Sequence, residues 1–185
     1  MGQFSLVSDQ ADFETLNDLF ENSTVRYADR IAFRMKRIGE RYDEFSYGRF
    51  RELTIAVAKY LEDLGACGKG KMIGLISENR PEWPIIYFAI LRTGATVVPM
   101  DALLGEAEIM HIIKDAGVHV LFCSAAQYDK VSEVDHLLKD LKKLIVLDAI
   151  NVKNRRITTL DEVITAGRKI KKDKPAKVKK NDIAA

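Results

Sequence analysis

The sequence predicts an α/β protein: helices layered on a mainly parallel sheet, with an antiparallel hairpin near the start. Three observations carry that expectation. Short apolar runs at Met72–Ile76, 95–98, 118–123 and 144–147 suit strands buried on both faces. Stretches with apolar residues three or four apart separate them, which is the helical period. Glycine or proline punctuates nearly every change of period, at Gly65, Pro81, Gly94, Pro99 and Gly117.

In order along the chain, residues 1–14 are polar with scattered apolar positions and are expected to be loosely held. Thr15-x-x-Asp18 reads as a capping box opening a helix to about Tyr27, with Leu16, Leu19, Phe20 and Tyr27 inward. Ile31–Met35 and 42–47 alternate around Ile38-Gly39-Glu40, the pattern of a hairpin added at a sheet edge. Phe50, Leu53, Val57, Leu61 and Leu64 then form one helical face, closed by Gly65.

The stretch Lys71–Asp101 is the organising unit. Strand Met72–Ile76 leads through the polar loop Ser77-Glu78-Asn79-Arg80 into a helix whose first turn is bracketed by Pro81 and Pro84. Proline is tolerated there because the first N–H groups of a helix have no partner within it. Trp83–Leu91 is solidly apolar, Gly94 can take the left-handed conformation that ends a helix, and a strand over 95–98 is stopped by Pro99. Such a strand–helix–strand unit joins parallel strands by a right-handed crossover.

The pattern then repeats. Ile109, Ile112, Ile113 and Ala116 form a helical stripe ended by Gly117, followed by a strand over 118–123. Ser124-x-x-Gln127 reads as a capping box, and Val131, Val134, Leu137, Leu138 and Leu141 as the inward face of its helix. After a strand at 144–147, Thr159-x-x-Glu162 opens a final helix carrying Leu160, Val163 and Ile164.

A chain of 185 residues with 47% hydrophobic and 30% charged residues has the composition of an ordinary globular domain. Its net charge of +2 is unevenly spread. Residues 168–180 hold eight Lys or Arg against Asp173, a net +7, so the first 167 residues are net −4. This basic tail lacks interleaved aromatics and a helical apolar face, so it reads as a solvated linker over 168–185, with no nucleic-acid role. The N-terminus lacks a signal pattern, and Leu6 stands where a myristoylation site needs Ser or Thr. The longest apolar run falls far short of the roughly 20 residues of a membrane helix. Cys67 and Cys123 have no CxxC partner and read as reduced thiols. The expected location is the cytoplasm, with peripheral membrane association left open.

Several apparent sites dissolve on inspection. Residues 65–72, GACGKGKM, nearly match the phosphate-binding pattern GxxxxGK[ST]. Met72 replaces the metal-binding hydroxyl, however, and the segment runs from helix to strand, whereas a phosphate loop runs from strand into helix. His111 and His136 on helices and His119 in a strand have no partners at metal-ligand spacing. Ser77, Ser124 and Ser132 lack a nucleophile-elbow context. Asp101 reads as a loop or helix-cap carboxylate. No residue is assigned a catalytic, cofactor-binding or metal-binding role.

The stretch LRTGATVVPMD at 91–101 resembles the LKxGxxxVPxD motif of the AMP-forming acyl-adenylating enzymes. Phe45-Ser46-Tyr47 and the helix to Gly65 resemble the family's LTYxEL element. Ser77–Trp83 and Ile109–Cys123 are similar to segments of its long-chain fatty acyl-CoA synthetase branch. Together these order and space four motifs, and the likeness extends from Thr15 to Ala185. Ala102-Leu103-Leu104 departs from the branch's Pro-containing segment, and 148–180 match nothing specific.

The resemblance implies that residues 15–167 form the N-terminal α/β subdomain of a long-chain fatty acid–CoA ligase. The family's Ser/Thr/Gly-rich phosphate loop follows a segment like Asn181–Ala185, so this chain would be an inactive fragment. ATP, Mg, coenzyme A and a fatty acid would then be ligands of the full-length parent, with none bound by the fragment. The remainder of the parent, or a second copy of this chain, would cover an exposed apolar face. Two alternatives stand beside this reading: a stand-alone, non-catalytic interaction module using the tail or a sheet edge, and an intact small nucleotide-binding protein.

Overall fold

A computed structural model describes residues 13–36, 42–151 and 154–185. Helix α1, Leu16–Arg26, opens on the expected capping box: the Asp18 N–H donates to Thr15 Oγ1, and Thr15 N to Asp18 Oδ2. Such a cap contributes about 1 kcal/mol. Phe20 is buried, but Leu16, expected inward, is exposed. Strands β1, Ile31–Lys36, and β2, Tyr42–Ser46, form the antiparallel hairpin; its expected turn lies outside the described residues. The pair is a separate two-stranded sheet rather than an edge of the main one, and Phe33 and Phe45 pack against the core instead.

Helix α2, Tyr47–Asp63, buries Phe50, Leu53, Val57 and Leu61; Leu64 falls past its end and is exposed. Strand β3, Met72–Ile76, helix α3, Glu82–Arg92, and strand β4, Thr96–Met100, form the parallel unit. Here one expectation is corrected, because β4 runs through Pro99. Thr96 N donates to Lys71 O beside β3, so Val97 and then Pro99 turn their backbone outward. The strand lies at the sheet edge, where proline's missing N–H costs no ladder bond.

Helix α4, Glu106–Ala116, ends at Gly117 with φ +66°. The next strand, β5, is Val120–Cys123, so His119 sits just ahead of it. Helix α5, Ala125–Asp135, is shorter than expected, and His136 caps it. Leu138 and Leu141 are nevertheless buried, delivered by non-helical turns, while Leu137 is exposed. Strand β6, Lys143–Val146, pairs with a three-residue strand, β7, Ile157–Thr159, that was too short to announce itself. Helix α6, Leu160–Lys169, begins on the expected Thr159–Glu162 box.

The five strands are parallel in the order β4-β3-β5-β6-β7. From β3 the chain steps to one side, then returns to continue on the other. Right-handed crossovers in opposite directions place their helices on opposite faces. Accordingly, Ile73, Leu75, Phe122 and Ile145 pack with residues of α2, α3 and α6, while Ile76, Leu121, Cys123 and Val146 pack with α4 and α5. Gly74 lies where a Cβ would sit 2.7 Å from Leu121 Cδ1. Both faces of the sheet are covered, which explains why its strands read as continuous apolar runs.

Candidate functional site

Ligands in an open α/β sheet gather outside the carboxyl ends of the strands, where the strand order reverses. Here that place is the gap between β3 and β5. Ser77–Arg80 leave one strand there, Ser124 leaves the other, and Asp148 follows β6. The rim they make is tied together by side chains. Arg80 Nε donates to Glu82 Oε2 at 2.8 Å, and its Nη1 reaches both Asp148 oxygens at 2.9 and 3.0 Å. Asp148 Oδ2 also accepts from Ala125 N at 2.8 Å, capping α5. Gln127 Nε2 donates to Glu78 Oε1 at 2.9 Å.

The capping box expected at Ser124-x-x-Gln127 therefore does not form. Asp148 takes the cap from another strand, and Gln127 is released to cross to the β3 loop. Lys130, one turn further, donates to the carbonyls of Ala102 and Leu104 at 3.3 and 3.1 Å. The first turns of α5 thus hold three loops at once. Sequence patterning missed Asp148, Gln127 and Lys130 in these roles. The available signal was a carboxylate just past an apolar strand.

Electrostatics fit this bracing. Burial would push the Glu78 carboxyl up, but the hydrogen bonds from Gln127 and its own backbone, with Ser124 and Arg80 nearby, outweigh it and hold it below its ordinary value. For Arg80, burial opposes the charge and the Glu82 and Asp148 hydrogen bonds win, raising its pKa. Beneath them Cys123 is driven up to about 12, by burial first and by Asp148 and Glu78 in addition. It is a thiol at neutral pH and no nucleophile, since only the thiolate attacks. Gln127 Oε1 has no hydrogen-bond partner, and the Ser124 hydroxyl lies by Glu78 without a well-aligned one.

The remaining sequence candidates scatter. Asp101 Oδ1 accepts from Leu103 N at 2.8 Å, a local turn contact. His119 Nδ1 lies 2.7 Å from Gly117 O, and His111 is exposed on α4. Ser132 donates to Asp129 O. The glycine–lysine turn at 65–72 sits at the opposite, amino end of the sheet. Gly65, Gly68 and Gly70 have positive φ there, and Gly68 N donates to Thr93 O. Among the described residues, no group of three or more His, Cys, Asp or Glu could hold a metal ion.

The model of the AMP-binding enzyme family matches residues 20–185. The chain belongs to that family. A long-chain-fatty-acid–CoA ligase of Escherichia coli O6:H1 is 32% identical over 109 residues, covering 59% of this chain and 18% of the relative. Fatty acyl-CoA synthetase B of Dictyostelium discoideum is 26% identical over 167 residues, covering 83% and 25%. The solved structure of an anthranilate CoA ligase in complex with anthranoyl-AMP superposes with a TM-score of 0.76 at 20% identity, over 90% of this chain and 30% of that one. The chain thus spans between 18% and 30% of the length of these proteins.

Proposed function

We propose that this chain is the amino-terminal part of the α/β scaffold of an ATP-dependent, AMP-forming long-chain fatty acid–CoA ligase. In the parent, a carboxylate and ATP would give an acyl-AMP and pyrophosphate, and the acyl group would pass to coenzyme A. The family match across residues 20–185, with relatives named for long-chain substrates, carries this reading. Displacement at phosphorus needs positioned donors, and metal charge, around the reacting phosphate. The braced rim offers nothing of that kind: Arg80 is spent on Glu82 and Asp148. Its role in the parent is to fix the Ser77–Arg80 and 101–105 loops as one wall of the cleft, while sequence outside this chain brings the phosphate-holding groups.

ATP–pyrophosphate exchange with long-chain fatty acids tests this. The 185-residue chain should show no exchange above background. A protein in which the same reading frame runs on into a Ser/Thr/Gly-rich segment should show it. Exchange by the short chain at the rate of the extended one refutes the reading. A frame that stops at residue 185, with no exchange, favours the stand-alone module.

A further inference from the structure

The amino end of the sheet is crossed by a segment with no helix or strand of its own. Residues 170–185 lie against the body as an extended strap. Lys59 Nζ donates to Ile170 O at 3.1 Å, Ala176 N to Arg92 O at 2.9 Å, and Val97 N to Ala184 O at 2.9 Å. Gly94, at φ +76°, lets the strap pass close, since a Cβ there would stand 2.9 Å from Ala176 Cβ. Arg92 anchors the strap twice: its carbonyl takes Ala176, and its guanidinium Nη2 donates to Asp173 Oδ2 at 2.9 Å. The far end is held separately, by Lys69 on Asp182 at 2.9 Å and by Val97 on Ala184.

That anchor is only partly satisfied. Arg92 is 4% exposed, yet its Nε and Nη1 have no hydrogen-bond partner. On the neighbouring helix α2, Glu62 Oε1 is buried and equally without one. Burial and then Asp173 make Glu62 harder to ionise, against the pull of Arg92, Lys59 and Lys174. The charges on the other helices around them are engaged. On α1, Glu21 pairs with Arg51 and stands 3.6 Å from Arg92. On α6, Arg168 pairs with Glu52, and Glu162 caps its own helix. A buried donor and a buried acceptor, each left without a partner, carry a cost that pairing with one another would remove. With the strap seated, Arg92 spends its one side-chain bond on Asp173, and Glu62 goes without.

We propose that Arg92 is an exchange clasp: it holds Asp173 while the strap is seated and turns to Glu62 when residues 170–178 lift away, so that pH sets how often the strap opens. With the strap lifted, the planar guanidinium is free to fork onto the Glu62 carboxylate, and water reaches that carboxylate too. Both favour its charged form. With the strap seated, burial and Asp173 oppose that charge, and the protonated carboxyl escapes both penalties. Lifting therefore releases a proton from Glu62 to solvent. Acid favours the seated strap, and opening grows as pH rises from the ordinary carboxylate value to the raised one. Lys69 and Val97 still hold Asp182 and Ala184, so the segment lifts as a loop and uncovers Gly94 ahead of β4. This inference rests on the strap alone and stands whatever reaction the parent catalyses.

Native-state hydrogen exchange of the 185-residue chain tests it, read at the Ala176 amide and divided by the intrinsic chemical rate at each pH. The opening constant at Ala176 should rise with pH by up to about tenfold per pH unit, the limit for one proton, and then level off. Amides of β5 and β6 should show no such rise. Glu62→Gln should hold Ala176 more tightly at neutral pH and remove the pH response. Asp173→Asn should open more at every pH, with a shallower rise. Glu78→Gln, at the rim, should leave the Ala176 profile as in the wild type. Circular dichroism shows whether each variant is folded, and the wild-type profile decides the matter if a variant is not. An opening constant at Ala176 that does not change with pH overturns the proposal. So does a Glu62→Gln variant that keeps the wild-type response, or a parallel rise at β5 and β6, which would be global unfolding.

Discussion

The two poles of one parallel sheet treat charge in opposite ways. At the carboxyl rim, Arg80, Glu82, Asp148, Glu78 and Gln127 satisfy one another across three loops. At the amino pole, Lys172, Lys174, Lys177, Lys179 and Lys180 are displayed on an extended strap whose two acids are already engaged. Mutual pairing fixes the shape of the rim, whereas the strap holds most of its lysines outward from a backbone pinned at Ala176 and Ala184. Their joint origin lies in the core: α5 braces the rim, and α6 launches the strap.

The largest effect should come from the strap's foundation. Gly167 sits where α6 crosses α2, and a Cβ there would fall inside the contact radius of Ala56 O. Backbone cannot yield as a side-chain tip can. Gly167→Val should force the helices apart and cost about 3 kcal/mol. Thermal melting would register this as a fall of about 6–12 °C for a chain of this size. A variant that melts with the wild type would show that α6 packs on α2 less closely than described. Second in size is the rim. Arg80→Ala leaves Asp148 and Glu82, each partly buried, without their guanidinium, at about 2 kcal/mol. Arg80→Lys should recover less than half, since one ammonium cannot span both carboxylates with a planar fork.

These ties also mark where sequence reading succeeds and fails. Met72–Ile76 was legible to the residue because a strand buried on both faces must be apolar throughout. Thr15, Asp18, Thr159 and Glu162 were legible because a capping box is closed within four residues. Asp148 and Gln127 were not, because the partner that decides each role lies 23 or 49 residues away. The strand through Pro99 depended on knowing that β4 is an edge, which is a property of the whole sheet. Likewise the tail's lysines were plain in the sequence, but the backbone bonds at Ala176 and Ala184 that fix them were not. Local chemistry is written locally, whereas the rim and the strap are both made by long-range contacts.

Between the poles, Arg92 is the strap's main clamp. It is 4% exposed, and its Nη2 holds Asp173 at 2.9 Å with Glu21 at 3.6 Å. Asp173 is more open, so Asp173→Asn should cost only about 1 kcal/mol overall. The effect should be local: amides near Ala176 should exchange with solvent faster, while those of β5 and β6 keep wild-type protection. Uniform acceleration across the sheet would mean that the strap belongs to the cooperative core.

The smallest effect, and the sharpest contrast, is in pH. Glu62 lies under the strap with Oε1 buried and unpartnered; burial first, then Asp173, raises its pKa against the opposing pull of Arg92 and Lys59. Glu78 at the rim is shifted the other way. A carboxyl with a raised folded pKa binds protons more readily folded than unfolded, so its stability contribution grows as pH falls through that value. A depressed carboxyl contributes fully above the ordinary carboxylate range and loses its contribution as pH falls through the depressed value. Glu62→Gln should therefore melt slightly above wild type at neutral pH, with the gap closing in acid as the wild-type carboxyl takes up its proton. Glu78→Gln should melt below wild type at neutral pH, with its gap also closing, but at lower pH. Two melting-temperature profiles, each taken as the difference from wild type, suffice. Gaps of the same sign at neutral pH would show that the two poles do not differ in how they hold a carboxylate, and the contrast would then rest on the lysines alone.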